Sequence, residues 1–205
     1  MADNATDFVV LGIDVISYSL RPLSLQKQAQ DTLDRLLARA VKDMKWKTQK
    51  PEWIDAGDGG YALFRGEEAK VVETLFAFQR LVDDDNASRE EDAKLYLRYA
   101  LHKDQILPWT GEFGKKYTGN ALNNCARLLS GMSKKYKGQV VCSETIKSAI
   151  SSFSQPAVVI TRLADIEDKH GKKHPVYNLR RDPGLGVIPD ASDQHPNPME
   201  RHQSM

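Results

Sequence analysis

The sequence predicts an α/β protein built as a ferredoxin-like βαββαβ sandwich, with extra strands at its C-terminal end. Three observations support this fold class. Residues 8–14 form a nearly continuous apolar run, which is typical of a strand covered on both faces. Strand-like and helix-like periodicities then alternate along the chain. Finally, Asp58 and Gly59 lie between two strand-like segments and indicate an antiparallel hairpin, which argues against an all-parallel Rossmann sheet.

The first half of the chain supplies the first strands and two helices. After Pro22, apolar residues recur at helical spacing with charged residues between them, which predicts an amphipathic helix. Residues 52–56 and 60–64 are the two strands of the hairpin. Residues 71–82 predict a second amphipathic helix, and the acidic stretch at residues 83–92 predicts a solvated loop.

The second half supplies the remaining strands and helices. We predict, in order, a strand at residues 95–101, an irregular arm at 106–118, a helix at 122–132, a strand at 139–142, a short helix at 143–150 and a final hairpin of residues 157–163 and 175–179. Ser143 is expected to cap the short helix. Residues 1–180 therefore form one domain. Residues 181–205 are polar, contain several prolines and predict a disordered tail.

Composition excludes several classes of protein. Hydrophobic residues make up 40% of the 205 residues and charged residues 28%, which is typical of a globular domain in solution. The 29 basic and 28 acidic residues nearly cancel, so no basic excess points to nucleic acid. No apolar run is long enough to cross a bilayer, no secretory signal opens the chain, and the two cysteines predict buried, reduced thiols. We therefore expect a cytoplasmic protein.

Asp14 and Asp58 are the first candidate site residues. The first strand of a βαββαβ sheet is central, so its end lies beside the hairpin and the two carboxylates converge. Such a pair can hold hard divalent cations against a polyphosphate, because the cations relieve the repulsion between the carboxylates. Taken singly, Asp58 is equally explained as a turn residue and Asp14 as a capping or loop residue. Asp55 is a competing ligand, although strand alternation points it away from the hairpin tip.

Asn123 and Arg127 are the second candidate pair. They are four residues apart on a predicted helix, which puts both on one face. An amide and a guanidinium facing one space suit a ribose and a reacting phosphate, whereas the alternative is a surface contact on a solvated face. The lysines at residues 168–174 either neutralise terminal phosphates or belong to an ordinary solvated turn. The two histidines of that turn lack the partners that zinc requires.

At these positions the sequence resembles the catalytic domain of class III nucleotidyl cyclases. Residues 12–19 (GIDVISYS) resemble the first metal-binding motif of that family, and residues 57–59 (GDG) resemble the second. Residues 119–128 (GNALNNCARL) resemble the helix that carries its transition-state asparagine and arginine. Each motif alone is weak, but the three occur in the family's order and spacing, and the match extends from about Phe8 to Leu179.

The resemblance implies a homodimer with composite active sites. Asp14 and Asp58 of one protomer, with the carbonyl of Val15, would bind two Mg²⁺ or Mn²⁺ ions. Main-chain amides between Val15 and the end of the motif would cradle the triphosphate. These phosphate-binding positions include Ser17, Tyr18 and Ser19.

The other protomer would complete each site. Asn123 would orient the ribose, and Arg127 would stabilise charge on the reacting phosphate while the 3′-hydroxyl attacks it in line and expels pyrophosphate. Lys172 is the best match to the family's phosphate-binding lysine. Lys169 and Lys173 are alternatives in a shifted register.

The sequence departs from the family where the base is read. Purine cyclases carry polar readers four residues before the second metal aspartate and seven before the asparagine, and here these positions hold Ile54 and Lys116. Ile54 can neither donate nor accept a hydrogen bond, and Lys116 can only donate. Trp53, Ile54 and Tyr117 are instead expected to line a tighter pocket. A further departure, at residues 102–104, replaces the family's His-x-Gly and puts the local backbone in question.

These features resemble the standalone bacterial pyrimidine cyclases of Pycsar anti-phage systems, which make cyclic UMP or cyclic CMP. The expected function is therefore conversion of UTP or CTP to the 3′,5′-cyclic monophosphate, a second messenger sensed by an effector without direct contact with the enzyme. One alternative is an adenylate cyclase that reads adenine through backbone contacts. Another is a degenerate cyclase fold that binds nucleotide or dimerises without catalysis, against which the presence of all four motif side chains argues.

Overall fold

The fold is described by a computed structural model, which covers residues 4–46, 49–132, 136–151, 157–167, 171 and 173–182. The strands are β1 (Thr6–Val15), β2 (Glu52–Asp55), β3 (Gly59–Phe64), β4 (Leu97–Gly111), β5 (Gly114–Thr118), β6 (Val140–Ser143), β7 (Val158–Arg162), β8 (Ile166–Glu167), β9 (Lys173–His174) and β10 (Val176–Arg181). The α-helices are α1 (Leu23–Asp43), α2 (Glu68–Ala87), α3 (Asn120–Gly131) and α4 (Glu144–Ile150).

The first four strands form the predicted ferredoxin-like unit. β1 lies antiparallel between β3 and β4, and β2 pairs with the outer edge of β3. β6 extends the sheet parallel to β4, and β10 and β7 follow it in antiparallel pairings. The sheet order is β2-β3-β1-β4-β6-β10-β7, while β5 pairs with the far end of β4 and β8 pairs with β9 in a separate ribbon. The predicted fold class, with extra strands at the C-terminal end, is confirmed.

Helices cover both faces of the sheet. α1, α2 and α4 pack on one face, where the largest buried side chains include Phe64, Phe78 and Tyr99. α3 packs on the opposite face over Phe8 and Val10. Alternate residues of β1 therefore enter two different cores, which explains why this strand is apolar at nearly every position.

α2 is longer than the sequence predicts. The expected solvated loop at residues 83–92 is wrong in its first half, because the helix continues to Ala87. The carboxylate of Asp85 stabilises this extension through ion pairs with Arg35 at 2.7 Å and Arg89 at 2.5 Å. Burial alone would raise the pKa of Asp85, but the hydrogen bonds from the two arginines outweigh it and hold the pKa below its ordinary value.

The irregular arm expected at residues 106–118 is instead a regular β-hairpin. β4 runs without a break through residues 102–104, so the loss of the family's His-x-Gly does not disrupt the strand. Residues 112 and 113 turn the chain between Gly111 and Gly114, and neither has a positive φ. The left-handed φ of 95° at Gly114 fits hairpin loops in which a glycine follows the turn. Phe113 at its tip is 90% exposed. We call this hairpin the β4–β5 arm.

The remaining sequence expectations have mixed outcomes. Cys125 and Cys142 are free and buried, as predicted. Ser143 occupies the N-cap position of α4, but its side chain makes no capping hydrogen bond and contacts His102 instead. The predicted tail lies outside the described residues from residue 183 onward. No helix in the described part of the chain is long and apolar enough to cross a membrane.

Candidate active site

Asp14 and Asp58 lie beside each other at the end of β1. Asp14 is the penultimate residue of that strand, and its register partner is Gly59, which follows Asp58 directly. The amide of Val15 donates a 2.8 Å hydrogen bond to the Asp58 carbonyl, which ties the hairpin turn to the strand end. The chain thus brings together the two carboxylates that the sequence singles out.

The two aspartates open onto a small cavity of about 170 Å³, which we call the aspartate cavity. It is walled by β1, the β2–β3 turn, β4 and α3. Its lining residues are Ile13, Asp14, Ala56, Asp58, Gly60, Tyr61, Arg98, Ala126, Leu129 and Ser130. Burial raises the pKa of the Tyr61 phenol, and the nearby carboxylates raise it further, so this hydroxyl stays protonated at neutral pH.

Two glycines allow the turn to approach β1. A Cβ on Gly59 would lie 2.1 Å from the carbonyl oxygen of Ile13, so no other residue fits there. Gly57 has a left-handed φ of 87°, and its carbonyl accepts a 2.7 Å hydrogen bond from the side chain of Gln30 on α1. Its amide donates to the Asp55 carboxylate at 2.7 Å. Asp55 therefore stabilises the turn and is engaged away from the cavity.

Arg98 is a charged neighbour that the sequence reasoning missed. It is the register partner of Asp14 on β4, and its Nε and Nη2 lie 2.8 and 2.5 Å from Asp14 Oδ2. Its Nη1 donates to the Met132 carbonyl at the end of α3. A charge-assisted pair of this kind orients Asp14 and offsets its repulsion from Asp58. The available signal was a single basic residue within the otherwise apolar strand predicted at residues 95–101.

The donors at the cavity suit a small divalent cation whose other ligands come from substrate. Asp14 and Asp58 provide two carboxylates. The carbonyl of Val15, the residue after Asp14, is the third oxygen that the family resemblance implies. Among the described residues, no group of three His, Cys, Asp or Glu side chains forms a metal site. Mg²⁺ fits this limited donor set, because it commonly takes one or two carboxylates together with phosphate oxygens and waters. Arg98 makes both of its hydrogen bonds with Asp14 to the same oxygen, Oδ2.

The segment after β1 folds into a tight turn. Ser17 adopts a left-handed conformation with φ 59° and ψ 27°, and Tyr18–Leu20 forms one turn of 3₁₀ helix. A non-glycine residue in this region is uncommon and is typical of functional loops. The amides of Val15 and Ile16 already donate to main-chain carbonyls. The main-chain amides that could bind the triphosphate, as the resemblance implies, are therefore those of residues 17–19.

Asn123 and Arg127 both lie on α3. Asn123 is exposed, and Arg127 is half-buried with its Nη1 donating at 2.7 Å to Oδ1 of Asn124. α3 reaches the aspartate cavity of its own chain through other residues, among them Ala126 and Ser130. The single chain therefore does not place the predicted amide and guanidinium in the cavity that holds the aspartates.

A close helix–strand contact sets this orientation of α3. A Cβ on Gly12 would lie 2.8 Å from Cys125 Sγ and 2.8 Å from Leu129 Cδ1, so the absent side chain lets the helix rest on β1. The buried face of α3 comprises Ala121, Cys125, Leu128 and Leu129. The face that carries Asn123 is left toward solvent.

The predicted base-contacting residues divide between two faces. Ile54 and Tyr117 pack against the apolar cluster under α3. Trp53 points the other way and lines a cavity of about 660 Å³ beside α1. Lys116 is exposed and alternates with Tyr117 along β5, so it faces away from that cluster. Trp53 is therefore not brought together with Ile54, contrary to the expectation of one shared pocket.

Glu52 is a second charged residue that the sequence reasoning missed. Its carboxylate accepts hydrogen bonds from Lys115 and from the Tyr117 hydroxyl, which ties the β4–β5 arm to the edge strand β2. Burial would raise the pKa of Glu52, but these hydrogen bonds outweigh it and keep the pKa below its ordinary value. Burial and the hydrogen bond to Glu52 raise the pKa of Tyr117 to about 12. This junction lies on the same face of β2 as Ile54.

The predicted phosphate-binding lysine lies in the least described part of the chain. Lys172 and its alternative Lys169 fall outside the described residues. Lys173 lies in β9, opposite β8. The β8–β9 ribbon rests on the C-terminal end of α3, where a Cβ on Gly131 would lie 2.2 Å from Ile166 Cγ2.

Comparison with solved structures identifies the fold. No family model matches the chain, and no curated protein matches it in sequence. The guanylate cyclase domain of RhGC from Catenaria anguillulae, solved with GTP, superposes with a TM-score of 0.65 at 12% identity, over 86% of this chain and 97% of that one. An adenylate/guanylate cyclase/hydrolase from Silicibacter pomeroyi gives 0.65 at 17% identity, over 87% and 99%. The chain has the class III nucleotidyl cyclase fold.

A third neighbour adds to this similarity. A bacterial light-regulated adenylyl cyclase superposes with a TM-score of 0.70 at 14% identity, over 86% of this chain and 53% of that one. These three superpositions each cover 86–87% of this chain. Identities this low establish the fold alone, so the activity rests on the geometry of the site.

The two aspartates are expected to differ in their contribution to stability. Asp14→Asn should lower the free energy of unfolding by about 1–2 kcal/mol, because the half-buried Arg98 loses its charged acceptor. Asp58→Asn, at an exposed turn position, should change it by less than about 0.5 kcal/mol. Urea unfolding without divalent metal measures both. A larger loss in Asp58→Asn than in Asp14→Asn would contradict the assignment of Arg98 as the partner of Asp14.

Proposed function

We propose that the chain is a metal-dependent nucleotidyl cyclase that converts UTP or CTP to the 3′,5′-cyclic monophosphate and pyrophosphate. The observation that carries this proposal is the aspartate cavity, in which two carboxylates meet at the end of a central strand. The fold around it is shared with guanylate and adenylate cyclase domains, one of which was solved with GTP. Paired carboxylates at a rigid strand end suit metal-assisted phosphoryl chemistry.

The aspartate cavity would hold the cofactor. Asp14, Asp58 and the carbonyl of Val15 would bind two Mg²⁺ or Mn²⁺ ions together with substrate oxygens. When bound, the metal would lower the pKa of the ribose 3′-hydroxyl and neutralise negative charge on the phosphates. Arg98 orients the Asp14 carboxylate before substrate arrives, and the Val15–Asp58 hydrogen bond holds the second carboxylate close to the first.

The remaining residues position the nucleotide. Amides of residues 17–19 would bind the triphosphate, and Lys172 would neutralise its terminal phosphates. Asn123 would hydrogen-bond the ribose, so that the 3′-oxygen lies in line with the α-phosphorus. Arg127 would donate to the phosphate oxygens on which negative charge grows. The 3′-hydroxyl gives its proton to solvent, a bond forms between the 3′-oxygen and the α-phosphorus, and the bond to the bridging oxygen breaks so that pyrophosphate leaves with its electron pair.

The proposed site is completed by a second copy of the chain. Asn123 is exposed and does not line the aspartate cavity of its own chain, which fits a role in a partner's site. The β4–β5 arm also exposes large apolar side chains, since Phe113 is 90% and Trp109 is 42% exposed. Exposed apolar groups of this size are typical of interfaces. We therefore propose a homodimer in which each site combines the aspartates of one protomer with Asn123 and Arg127 of the other.

The proposed preference for a pyrimidine rests on the residues near Ile54. Ile54 and Tyr117 both pack against the apolar cluster under α3. The Tyr117 hydroxyl donates a hydrogen bond to Glu52, which holds Tyr117 beside the edge strand β2. In the family that the sequence resembles, purine cyclases carry a polar base reader at the position of Ile54. Ile54 can neither donate nor accept a hydrogen bond, so the contact by which those enzymes recognise a purine is missing. A smaller base is compatible with the tighter space. We leave Trp53 out of the proposed pocket because it faces α1, and we leave out Lys116 because it faces away from the cluster that holds Ile54 and Tyr117.

The proposed cellular role follows the resemblance to Pycsar pyrimidine cyclases. The cyclic nucleotide would be a second messenger in bacterial anti-phage defence. An effector that senses the product would be a partner in signalling without contacting the enzyme.

Nucleotide turnover tests the proposed reaction. With Mn²⁺, the purified protein is expected to convert UTP or CTP to a 3′,5′-cyclic monophosphate. Asp58→Ala should lower the rate by at least about 10³-fold, because a carboxylate ligand of the metal is lost. Each of the four nucleoside triphosphates is incubated separately and the products are resolved by mass spectrometry.

Asp31→Ala is the matched control for this experiment, because Asp31 is an exposed aspartate on α1 paired with Lys27. It should retain full activity. Turnover of ATP alone would reject the pyrimidine preference and favour an adenylate cyclase. No turnover of any of the four nucleotides would reject the cyclase.

Mixing two variants that each retain very little activity tests the shared sites. Asp14→Ala and Arg127→Ala chains, co-expressed with different tags, are expected to regain activity because one of the two sites in a mixed dimer contains no substitution. Random pairing gives mixed dimers in half of the population, so activity should reach about a quarter of wild type. Copurification of both tags demonstrates pairing, and a pure mixed dimer without activity would contradict the composite site.

A further inference from the structure

A continuous chain of hydrogen bonds runs from Arg127 into the protein interior. Arg127 Nη1 lies 2.7 Å from Asn124 Oδ1, and Asn124 Nδ2 lies 3.3 Å from Nε2 of His102 on β4. His102 Nδ1 is 2.9 Å from Ser143 Oγ, which is 2.9 Å from Thr145 Oγ1. Thr145 in turn donates at 2.9 Å to the main-chain carbonyl of residue 103.

Arg127, at the outer end of this network, determines which group donates in each hydrogen bond. A guanidinium has only donors, so the Asn124 atom that it contacts is the amide oxygen. The amide nitrogen of Asn124 must then donate to His102, which makes Nε2 an acceptor. Neutral imidazole carries one proton, so that proton is on Nδ1 and points to Ser143.

The inner end imposes the same tautomer independently. The carbonyl of residue 103 can only accept, so the hydroxyl proton of Thr145 is used there. Thr145 must therefore accept from Ser143, and the Ser143 oxygen must accept from His102 Nδ1. All five hydrogen bonds are consistent with a single set of proton positions. Such a polarised network holds its members in one arrangement.

The surroundings of His102 favour the neutral form. The side chain is buried, and this burial lowers its pKa because the imidazolium is poorly solvated. Asp104 on the same strand partly opposes the effect, but its carboxylate lies 3.8 Å from Nε2, too far for a hydrogen bond. His174 of β9 disfavours a second positive charge, and Glu144 of α4 lines the same small cavity. Arg127 adds a further cation beyond Asn124.

We propose that Asn124, oriented by His102, is the positioning residue that aims Arg127 at the reacting phosphate. This inference rests on the proposed function, in which Arg127 stabilises the transition state. Arg127 is a long side chain with many rotamers, so an acceptor fixed at 2.7 Å removes freedom that would otherwise be lost during the reaction. Asn124 follows Asn123 directly on the helix, so the two adjacent asparagines have separate roles, one toward the ribose and one toward Arg127.

Protonation of His102 should break this arrangement. A proton on Nε2 would face the NH₂ group of Asn124, and two donors repel each other. The amide of Asn124 can relieve this repulsion only by rotating, which turns its NH₂ group toward Arg127. Two donors would then oppose each other. Activity that depends on the position of Arg127 should therefore fall as the pH drops and His102 takes up a proton, and it should return on neutralisation.

Steady-state kinetics with Asn124→Ala test the proposal. Loss of the acceptor should lower kcat by about 10- to 100-fold while the KM for the nucleoside triphosphate changes less than about threefold, because Arg127 acts mainly in the transition state. Alanine preserves helix propensity on α3. Asn120→Ala removes an exposed asparagine from the same helix and is the matched control, expected to keep wild-type kcat.

A double-mutant cycle shows whether Asn124 acts through Arg127. In an Arg127→Ala background, Asn124→Ala should have no further effect on kcat, whereas a general structural role would reduce it again. Nitrogen-15 NMR of the wild-type imidazole adds a readout independent of activity, and it should show His102 protonated on Nδ1 and unprotonated on Nε2.

The outcomes distinguish a failure of the positioning role of Asn124 from a failure of the proposed cyclase function. Additive losses in the cycle, an unchanged kcat in Asn124→Ala, or an Nε2-protonated His102 would each overturn the positioning role while leaving the cyclase assignment intact. A wild-type protein inactive on all four nucleotides would instead remove the proposed function and this inference with it. A reduced kcat, loss of effect in the Arg127→Ala background and the Nδ1 tautomer together would establish the role.

Discussion

The structure depends on one close approach, that of the β2–β3 turn to the end of β1. The turn can reach the strand because Gly59 has no side chain, and it is held there by the hydrogen bond between Val15 and the Asp58 carbonyl. This contact places two acidic side chains at one end of a buried strand. Arg98 offsets part of the resulting repulsion through Asp14, and a divalent cation would offset the rest.

The second constraint is the close packing of α3 against β1, on the face of the sheet opposite to α1, α2 and α4. Gly12 lets the helix rest against β1, which buries one side of α3 and leaves the side with Asn123 toward solvent. The same packing brings Asn124 over His102, so a surface arginine is connected to a buried imidazole. The proposed catalytic groups are thus placed on rigid secondary structure, which is the arrangement that precise positioning requires.

Much of the fold follows from short-range patterns. The apolar run of β1, the helical periodicity of α1 and the Asp58–Gly59 turn signal are local features, and together they predict the ferredoxin-like order and the meeting of the two aspartates. The role of Arg98 could not be predicted in this way, because it depends on the register between β1 and β4. The regular β4–β5 arm was missed because its glycines and proline also fit an irregular loop. The hydrogen-bond network that begins at Arg127 connects residues of α3, β4 and α4. No sequence spacing predicts that these residues meet.

The central claim is that carboxylates of one protomer and the Asn123–Arg127 pair of another surround one nucleotide. The most direct measurement is a crystal structure of the protein with Mn²⁺ and a UTP analogue whose α–β bridging oxygen is replaced by a group that cannot leave. We expect a dimer with metal on Asp14 and Asp58, and with the partner's guanidinium on the α-phosphate. A nucleotide bound away from the aspartates, or a dimer that holds α3 of the partner too far away to touch the nucleotide, would rule out this composite site.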